Sequence, residues 1–358
     1  MTALYITLLV SGCSQSGSPY GEHQPPDDRI TLVAVGDIML GGTAEEIMLK
    51  NDYDYPFQKT SHLFANADIV IGNLEGPLTN IESSALDKEY IFRSPPESVA
   101  PALSRAGFNV MNLANNHTMD YGVGGMNDTI DSLKQNGIFT LGAGENRRQA
   151  RKGIVLNTHY GRVALLSYSL TFPEDFWATD ERAGTAFGHK KDIQEDVQRL
   201  SQQADYIIVS FHWGREKTTT LRPYQPTLAH AAIDAGADVV VGHHPHVLQA
   251  VERYKNGIIL YSLGNYVFGS YSKDAATSMV ARITLHKGMF YSAELIPIKV
   301  LNTEVVFQPY PLKGHAASKV IRHINQLSQH TQTHFKLINN RGYLHTRSNK
   351  IQSLTHSN

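Results

Sequence analysis

Polar side chains follow six apolar runs of the chain, at the point where each run ends. The clusters are Gly36-Asp37, Gly72-Asn73-Leu74-Glu75, Asn115-Asn116-His117, His212-Trp213-Gly214, His243-His244-Pro245-His246 and Gly264-Asn265. If the runs are parallel strands, the clusters occupy the loops beyond their carboxyl ends, where α/β sheets bind ligands. Each cluster alone is also typical of a turn or a helix N-cap. Their joint occurrence predicts one site on which all six converge.

The clusters contain side chains that bind divalent metals. The candidate ligands are two carboxylates, one amide oxygen and three imidazoles: Asp37, Glu75, Asn116, His212, His244 and His246. Mixed nitrogen and oxygen ligands suit Mn, Fe, Zn or Co, whereas Mg and Ca prefer oxygen alone. A single histidine is more often packed or solvated, but the histidines around Pro245 have little use in packing. The sequence therefore predicts a site for one or two divalent ions.

Six predicted strands position these clusters. They cover residues 30–35, 68–71, 108–114, 206–211, 238–241 and 257–263. Between them, amphipathic stretches at residues 98–106, 126–136, 191–203 and 225–235 predict helices, with glycines near three of their carboxyl ends. Beyond Asn265 we expect a β-hairpin at residues 277–300, a helix at residues 319–329 and a loose tail. The alternation of strands and helices predicts an α/β fold.

The composition is that of an ordinary globular protein. The 358 residues are 41% hydrophobic and 18% charged, which is sufficient for a full core. A formal net charge of −1 supplies no overall field for a polyanion, so we expect no nucleic-acid partner. The only cysteine, Cys13, excludes an intramolecular disulfide and a cysteine-based zinc site.

The amino terminus resembles a bacterial lipoprotein signal. A short apolar run ends in Val10-Ser11-Gly12-Cys13, although no Lys or Arg precedes Arg29. We predict a signal peptide at residues 1–12, lipidation of Cys13 and a disordered tether at residues 13–29. The alternative is a buried cysteine on a short apolar helix. The first interpretation implies an extracytoplasmic protein that is lipid-anchored to a bacterial membrane. For the rest of the chain we predict a main domain at residues 30–312, followed by a helix and tail at residues 313–358.

Six segments resemble the successive blocks of the CapA family of poly-γ-glutamate capsule proteins, a branch of the calcineurin-like metallophosphoesterases. The segments are VAVGDIMLGG, IGNLEGPLT, NLANNHTMDYG, SFHWGRE, VVGHHPHVLQAVE and YSLGNYVF. They span residues 33–268 in the family's order. The resemblance implies a metallophosphoesterase-like layered sandwich of sheets flanked by helices, with a β-hairpin and a helical C-terminal appendage.

The resemblance also assigns roles to residues. Asp37 matches the metal aspartate of the first strand, and Glu75 takes the place of the bridging aspartate. The other matched ligands are Asn116, His212, His244 and His246. By the same resemblance His117 is a general acid rather than a ligand, and Asp120 orients it.

One position departs from the superfamily pattern. Met39 stands where the first strand usually carries a histidine, and a thioether is a poor ligand for hard or borderline divalent ions. The metal position that shares Asp37, Glu75 and His246 is therefore expected to lack a ligand. We expect a mononuclear or weakly dinuclear site.

The function that the resemblance implies is a lipid-anchored component of extracellular polymer synthesis or export. If it is an enzyme, metal-activated water attacks the substrate while His117 protonates the leaving group. Candidate substrate-binding residues are Asn73, Asn115, Trp213, Arg215, Glu216 and Asn265. Two alternatives stay open: a metal-stabilised scaffold or binding subunit of a membrane polymer-ligase or export complex, and an extracytoplasmic nucleotidase. Met39 favours the scaffold, whereas His117 and Asp120 favour catalysis.

Overall fold

The computed structural model describes residues 28–84 and 88–345. The predictions of a signal peptide at residues 1–12, of lipidation at Cys13 and of most of the tether lie outside the described residues, as do residues 346–358 of the predicted tail. In these two described ranges, no helix is both long enough and apolar enough to cross a membrane.

Strands and helices alternate through the described chain. The strands are β1 (Ile30–Ile38), β2 (Ile69–Leu74), β3 (Val110–Asn112), β4 (Phe139–Leu141), β5 (Ala143–Gly144), β6 (Ile154–Thr158), β7 (Gly161–Ser169), β8 (Gly184–Thr185), β9 (Tyr206–His212), β10 (Val239–His243), β11 (Val251–Tyr254), β12 (Gly257–Leu260), β13 (Asn265–Val267), β14 (Thr277–His286), β15 (Met289–Lys299), β16 (Tyr310–Pro311), β17 (Lys336–Ile338) and β18 (Arg341–His345). The helices are α1 (Glu45–Asn51), α2 (Pro96–Ala106), α3 (Gly122–Gln135), α4 (Arg147–Ala150), α5 (Lys190–Ser201), α6 (Tyr224–Ala235), α7 (Asn302–Val305) and α8 (Gly314–Leu327). The six predicted strands and the predicted helices are confirmed in type.

The first sheet is mixed. Its order is β17-β18-β15-β14-β1-β2-β3-β4, with β13 also paired to β1 and β16 to β15. Strands β1 to β4 run parallel to one another, and the predicted hairpin of β14 and β15 joins β1 antiparallel. Lys287 and Gly288, at the hairpin turn, both have positive φ, as a tight two-residue turn requires. This sheet carries the carboxyl ends of β1, β2 and β3 to one edge.

The second sheet has the order β11-β12-β10-β9-β7-β6. Its four central strands, β12, β10, β9 and β7, are parallel. Strand β7 is absent from the sequence prediction, and it is buried on both faces over most of its length. The six predicted strands are thus divided between two sheets. Strand β7, which was not predicted, pairs with β9 in the second sheet.

The two sheets pack face to face around a shared apolar core. Leu32 of β1 and Ile69 of β2 belong to the same buried cluster as Leu165 of β7 and Val241 of β10. Because successive side chains of a strand point to opposite faces, the neighbouring residues of the same strands face outward. There they pack against α1, α2 and α3 on the first sheet and against α5 and α6 on the second. The predicted layered α/β sandwich is therefore confirmed.

The carboxyl-terminal region contains more structure than predicted. Helix α8 begins five residues before the predicted helix, and residues 336–345, expected to be a loose tail, form β17 and β18. Strand β18 extends the first sheet beside β15, where Arg341 and Tyr343 bond Glu294 at 2.6 and 2.7 Å. These polar pairings explain why the segment lacks an apolar pattern, and the pairing of β18 with β15 joins residues 341–345 to the first sheet.

Candidate metal centre

All six predicted polar clusters lie together where the carboxyl ends of the two sets of parallel strands meet. Asn73 Nδ2 donates to Asp37 Oδ1 at 2.8 Å, within the first sheet. Asn116 Oδ1 lies 2.7 Å from His212 Nε2, which joins the first sheet to the second. The predicted convergence on one site is thus observed.

Asp37 is held at the end of β1 by a close approach of two backbone segments. A Cβ atom on Gly36 would lie 1.7 Å from the carbonyl oxygen of Gly264, so only glycine fits. The Asp37 amide donates to that same oxygen at 3.0 Å. The carboxylate then lies with Oδ2 3.1 Å from His246 Nδ1 and Oδ1 3.5 Å from His243 Nδ1.

Glu75 occupies the centre of the cluster. Its Oε1 atom lies 3.6 Å from His212 Nε2 and 3.8 Å from His246 Nε2. Its Oε2 atom accepts a hydrogen bond of 3.2 Å from Asn73. One carboxylate oxygen therefore lies between histidines of two different loops, which is the placement required of a bridging ligand.

His244 and His246 stand on a turn of unusual backbone geometry. Their φ angles are 93° and 57°, in the left-handed region. Such a conformation costs on the order of 1–3 kcal/mol at a residue other than glycine and persists where the surroundings impose it. The turn thus directs both rings into the cluster at the expense of local backbone stability.

Overlapping groups of ligand atoms result, two of which share Glu75. Glu75, His212 and His244 form one, and Asp37, Glu75 and His246 form the other, with the ligand atoms of each group within 4.8 Å of one another. Asn116 adds an amide oxygen beside His212 in the first group. Met39, which follows Asp37 by two residues, is buried and offers only a thioether.

The residues present fit a divalent metal. Glu75 Oε1 and His244 Nδ1 are buried and have no hydrogen-bond partner within the described part of the chain, an arrangement that is costly unless something binds those atoms. Asp37, Glu75 and His212 are fully buried, and buried charges are normally paired or coordinate metals. The mixed set of carboxylate, amide and imidazole ligands suits a borderline divalent ion.

Burial and neighbouring charges shift the pKa values of several residues of the cluster. Burial, followed by the nearby charge of Asp37, raises the pKa of Glu75 well above its usual value. Burial lowers the pKa of His244 to about 3, so its ring is neutral and can bind a metal. Burial alone would lower the pKa of His246, but the effects of Glu75 and Asp37 outweigh burial and raise this pKa to about 9. A metal would have to displace that proton.

His117 and Asp120 form a pair beside the cluster. His117 Nδ1 lies 2.7 Å from Asp120 Oδ2, and Asp120 is fully buried. The His117 amide donates to Asn115 Oδ1 at 3.0 Å, which anchors the backbone of the loop. Because Asp120 engages Nδ1, the other ring nitrogen, Nε2, is left for proton exchange.

Lys88 is a site residue that the sequence did not indicate. Its ammonium donates to Asp120 Oδ1 at 2.6 Å and to the Asn116 carbonyl at 2.6 Å, and lies 3.1 Å from His117 Nδ1. The residue lies in an irregular segment between β2 and α2, where no strand-end pattern marks it. It therefore fixes the pair of His117 and Asp120 from a position that only the fold reveals.

Two aromatic rings flank the cluster and were also missed. Phe92 packs on His117 with ring centroids 4.5 Å apart, and Phe268 packs on His246 at the same separation. The two phenyl rings are 6.3 Å apart. Ordinary apolar residues of this kind carry no signal in the sequence, yet here they limit the access of water to both histidines.

Three asparagines predicted to bind substrate lie beside the candidate ligands. Asn73 donates to Asp37 and Glu75 and accepts from Asn115 at 3.1 Å, and it is fully buried. Asn115 is also buried and donates to the Leu74 carbonyl at 2.8 Å. Asn265 Oδ1 lies 2.9 Å from His246 Nδ1, while its buried Nδ2 has no hydrogen-bond partner among the described residues. These contacts hold candidate ligands and loops, and binding of substrate by the three amides stays a prediction.

Trp213, another residue predicted to bind substrate, lies inside the protein. Its indole is fully buried, stacks on Phe211 with centroids 4.4 Å apart, and donates to the Tyr261 carbonyl at 2.9 Å. It belongs to the core beneath the site rather than to a cleft. Arg215 and Glu216, the next predicted residues, are exposed on the loop that follows β9.

His243 is buried at the end of β10. It belongs to one of the six predicted polar clusters, but no role was predicted for it. Neither ring nitrogen has a hydrogen-bond partner among the described residues, and the nearest charge is Asp37. It belongs to neither of the two ligand groups formed around Glu75. Its place behind Asp37 makes it a support for that carboxylate.

The fold and the site define the chain as a layered α/β protein with a candidate centre for divalent metal. The family described as bacterial capsule synthesis protein PGA_cap matches residues 31–270. The capsule biosynthesis protein CapA of Bacillus anthracis is 39% identical over 248 residues, which are 68% of this chain and 60% of that protein. The PGA biosynthesis protein CapA of Bacillus subtilis is 34% identical over 276 residues, 76% of this chain and 72% of that protein. The chain belongs to the PGA_cap family of bacterial capsule synthesis proteins.

Solved structures with similar folds are more distant. The NAD nucleotidase of Haemophilus influenzae aligns with a TM-score of 0.47 and 12% identity over 83% of this chain and 62% of that one. The calcineurin-like phosphoesterase YfkN of Bacillus subtilis aligns with a TM-score of 0.42 and 13% identity over 85% of this chain and 99% of that one. The chemistry of the site is therefore argued from its own residues.

Proposed function

We propose that this chain is a metal-dependent hydrolase that acts in the synthesis or export of an extracellular capsule polymer. The biological role follows the family and the names of its relatives, one of which is a PGA biosynthesis protein. The observation that carries the enzymatic part is the contact of His117 with Asp120, 2.7 Å apart, beside a buried group of ligands. A scaffold has no need of an oriented histidine at this place.

In this proposal different residues of the chain have different catalytic roles. Asp37, Glu75, Asn116, His212, His244 and His246 would hold the metal. The chemistry that a bound divalent ion supplies is activation of water and stabilisation of charge on the substrate oxygens. Asp120 holds Nδ1 of His117, so that Nε2 can deliver a proton to the departing oxygen or nitrogen. Phe92 and Phe268 exclude water from the two histidines on which they pack.

A second candidate function is a scaffold or binding subunit of a membrane polymer-ligase or export complex. Met39 supports it, because the thioether of this residue, two positions after Asp37, is a poor ligand for hard or borderline divalent ions. In that case the metal would stabilise the fold, and His117 would be dispensable. The third candidate, an extracytoplasmic nucleotidase, would also be a metal-dependent hydrolase. It would differ from the first proposal in its substrate.

The location is part of the proposal. Lipidation at Cys13 would place the site outside the cytoplasmic membrane, close to partner subunits that handle the polymer. Cell fractionation of wild type and Cys13→Ser tests this, because the variant should leave the membrane fraction or accumulate as an uncleaved precursor. Wild-type protein confined to the soluble cytosol would contradict the anchor.

Hydrolysis by the purified full chain tests the function. Chromogenic phosphoesters, a nucleoside monophosphate and a γ-glutamyl polymer are incubated with the protein, before and after a chelator and after addition of Mn²⁺. We expect the chelator to abolish hydrolysis of one substrate class and Mn²⁺ to restore it. A metal-loaded protein that hydrolyses none of the three classes would favour the scaffold.

A further inference from the structure

Glu216 lies at the mouth of the metal centre. A carboxylate oxygen of this residue and ring nitrogens of His244 and His246 all lie within 4.8 Å of one another. The two histidines belong to different ligand groups, since His244 joins His212 and His246 joins Asp37. Glu216 is exposed, whereas Glu75, the other carboxylate shared between the groups, is fully buried. One acid therefore approaches the histidines from solvent and the other from the core.

The loop that carries Glu216 is fixed against the histidine turn. The Lys217 amide donates to the Pro245 carbonyl at 2.8 Å, and Lys217 adopts a φ of 54° to do so. On the other side, the Gly214 amide donates to the Tyr224 hydroxyl at 2.8 Å. Bonds on both flanks hold Glu216 over His244 and His246, so its position is built into the fold.

The side chain of Glu216 is not engaged by its neighbours. Among residues 28–84 and 88–345 it forms no hydrogen bond or ion pair, although Arg215 and Lys217 flank it in sequence. An exposed carboxylate normally pairs with such neighbours or extends into solvent. Here its negative charge instead contributes to the raised pKa of His246, after the larger effects of Glu75 and Asp37.

We propose that Glu216 is a metal ligand that acts together with His244 and His246, on the solvent side of the centre. The inference rests on the metal centre of the proposed function and adds a carboxylate beyond Asp37 and Glu75 to its ligands. A carboxylate oxygen beside two imidazole nitrogens suits a borderline divalent ion such as Mn²⁺. Glu216 is thus assigned to the metal rather than to the substrate.

Metal binding by Glu216→Gln tests the assignment without any assay of activity. The full-length wild type and variant are loaded with Mn²⁺, dialysed and analysed for metal, and their Kd values are measured by competition with a chelator. We expect the variant to bind the weaker Mn²⁺ about 10- to 100-fold less tightly, at least the loss caused by removal of an outer partner of a metal site. Glu181→Gln, an exposed acid elsewhere, should bind as wild type does.

A second variant separates the loss of a ligand oxygen from general weakening. Glu216→Asp keeps a carboxylate on the same loop and should bind Mn²⁺ more tightly than Glu216→Gln does. Equal Kd values for the two variants would contradict a role of the carboxylate as a ligand. Unchanged Mn²⁺ content and Kd in Glu216→Gln would overturn the ligand assignment alone, whereas a wild type that binds no metal would overturn the proposed function as well.

Discussion

Lys88 forms a 2.6 Å ion pair with Asp120, the buried carboxylate that also holds His117. The ammonium lies close enough to His117 to act on its charge. Burial lowers the pKa of His117, Asp120 raises it, and Lys88 lowers it again. The three residues form a unit in which the lysine fixes Asp120 and, after the larger effects of burial and Asp120, lowers the proton affinity of the histidine.

Replacing Lys88 should therefore move the pH dependence of hydrolysis. A general acid works in its protonated form, so activity falls as the pH rises through its pKa. Lys88→Gln removes a positive charge and should raise the pKa of His117, which moves that fall to higher pH. Profiles of kcat/KM against pH for wild type and the variant measure the shift, with the exposed Lys59→Gln as control. An unchanged profile, or a shift to lower pH, would contradict the effect of Lys88 on the pKa of His117.

His244→Ala should lower metal content and the metal-dependent part of thermal stability. An ion that binds only the folded state stabilises it by about 2.7 kcal/mol when its concentration is about 100 times Kd. Differential scanning calorimetry with and without Mn²⁺ gives the shift in Tm, and elemental analysis gives the content. The exposed His62→Ala should retain the full Mn²⁺-induced shift. Equal shifts in both variants would remove His244 from the ligand set.

Asp238 provides a test of the fold that is independent of the metal. It is buried at the start of β10 and accepts a hydrogen bond of 2.8 Å from the Ile207 amide. Burial raises its pKa from 3.8 to about 7, with the Ile207 bond acting in the opposite direction. Between these values the folded state binds more protons than the unfolded state, so stability falls as the pH rises, by about 1.4 kcal/mol per pKa unit.

Asp238→Asn removes this titration while it keeps an oxygen for Ile207. The free energy of unfolding of wild type relative to the variant should decrease from about pH 4 to about pH 7, then level off. Urea titrations at several pH values measure it, with the exposed Asp205→Asn as control. A difference that is constant with pH, or that grows, would show that Asp238 is ionised in the folded protein throughout.

The metal centre was predictable because the strand-end rule needs only local patterns. Asp37, Glu75 and His212 each follow an apolar run, and parallel strands bring such positions to one edge. The same rule does not separate residues that contact substrate from residues that support ligands, since Asn73 also follows a strand but donates its hydrogen bonds to Asp37 and Glu75. Whether a polar residue faces the substrate or supports a ligand depends on its burial, which sequence alone does not specify.

Residues outside the strand ends were not predictable in this way. Lys88 and Phe92 lie in an irregular segment and reach His117 only through the path of the loop. Strand β7 went unrecognised although it organises the second sheet, and β17 and β18 are too polar to show an apolar period. In each case the determining contacts are with residues distant in sequence, whereas the predictions relied on neighbours in the chain.

The central claim is that the site is catalytic, and His117→Ala tests it most directly. The variant removes the group that would donate the proton and leaves all six candidate ligands in place. We expect hydrolysis, and polymer output in cells at matched protein abundance, to fall by about 10²- to 10⁴-fold with metal content unchanged. The exposed His159→Ala should match wild type. Wild-type output from His117→Ala with its metal retained would contradict the catalytic account and leave the scaffold as the function of this fold.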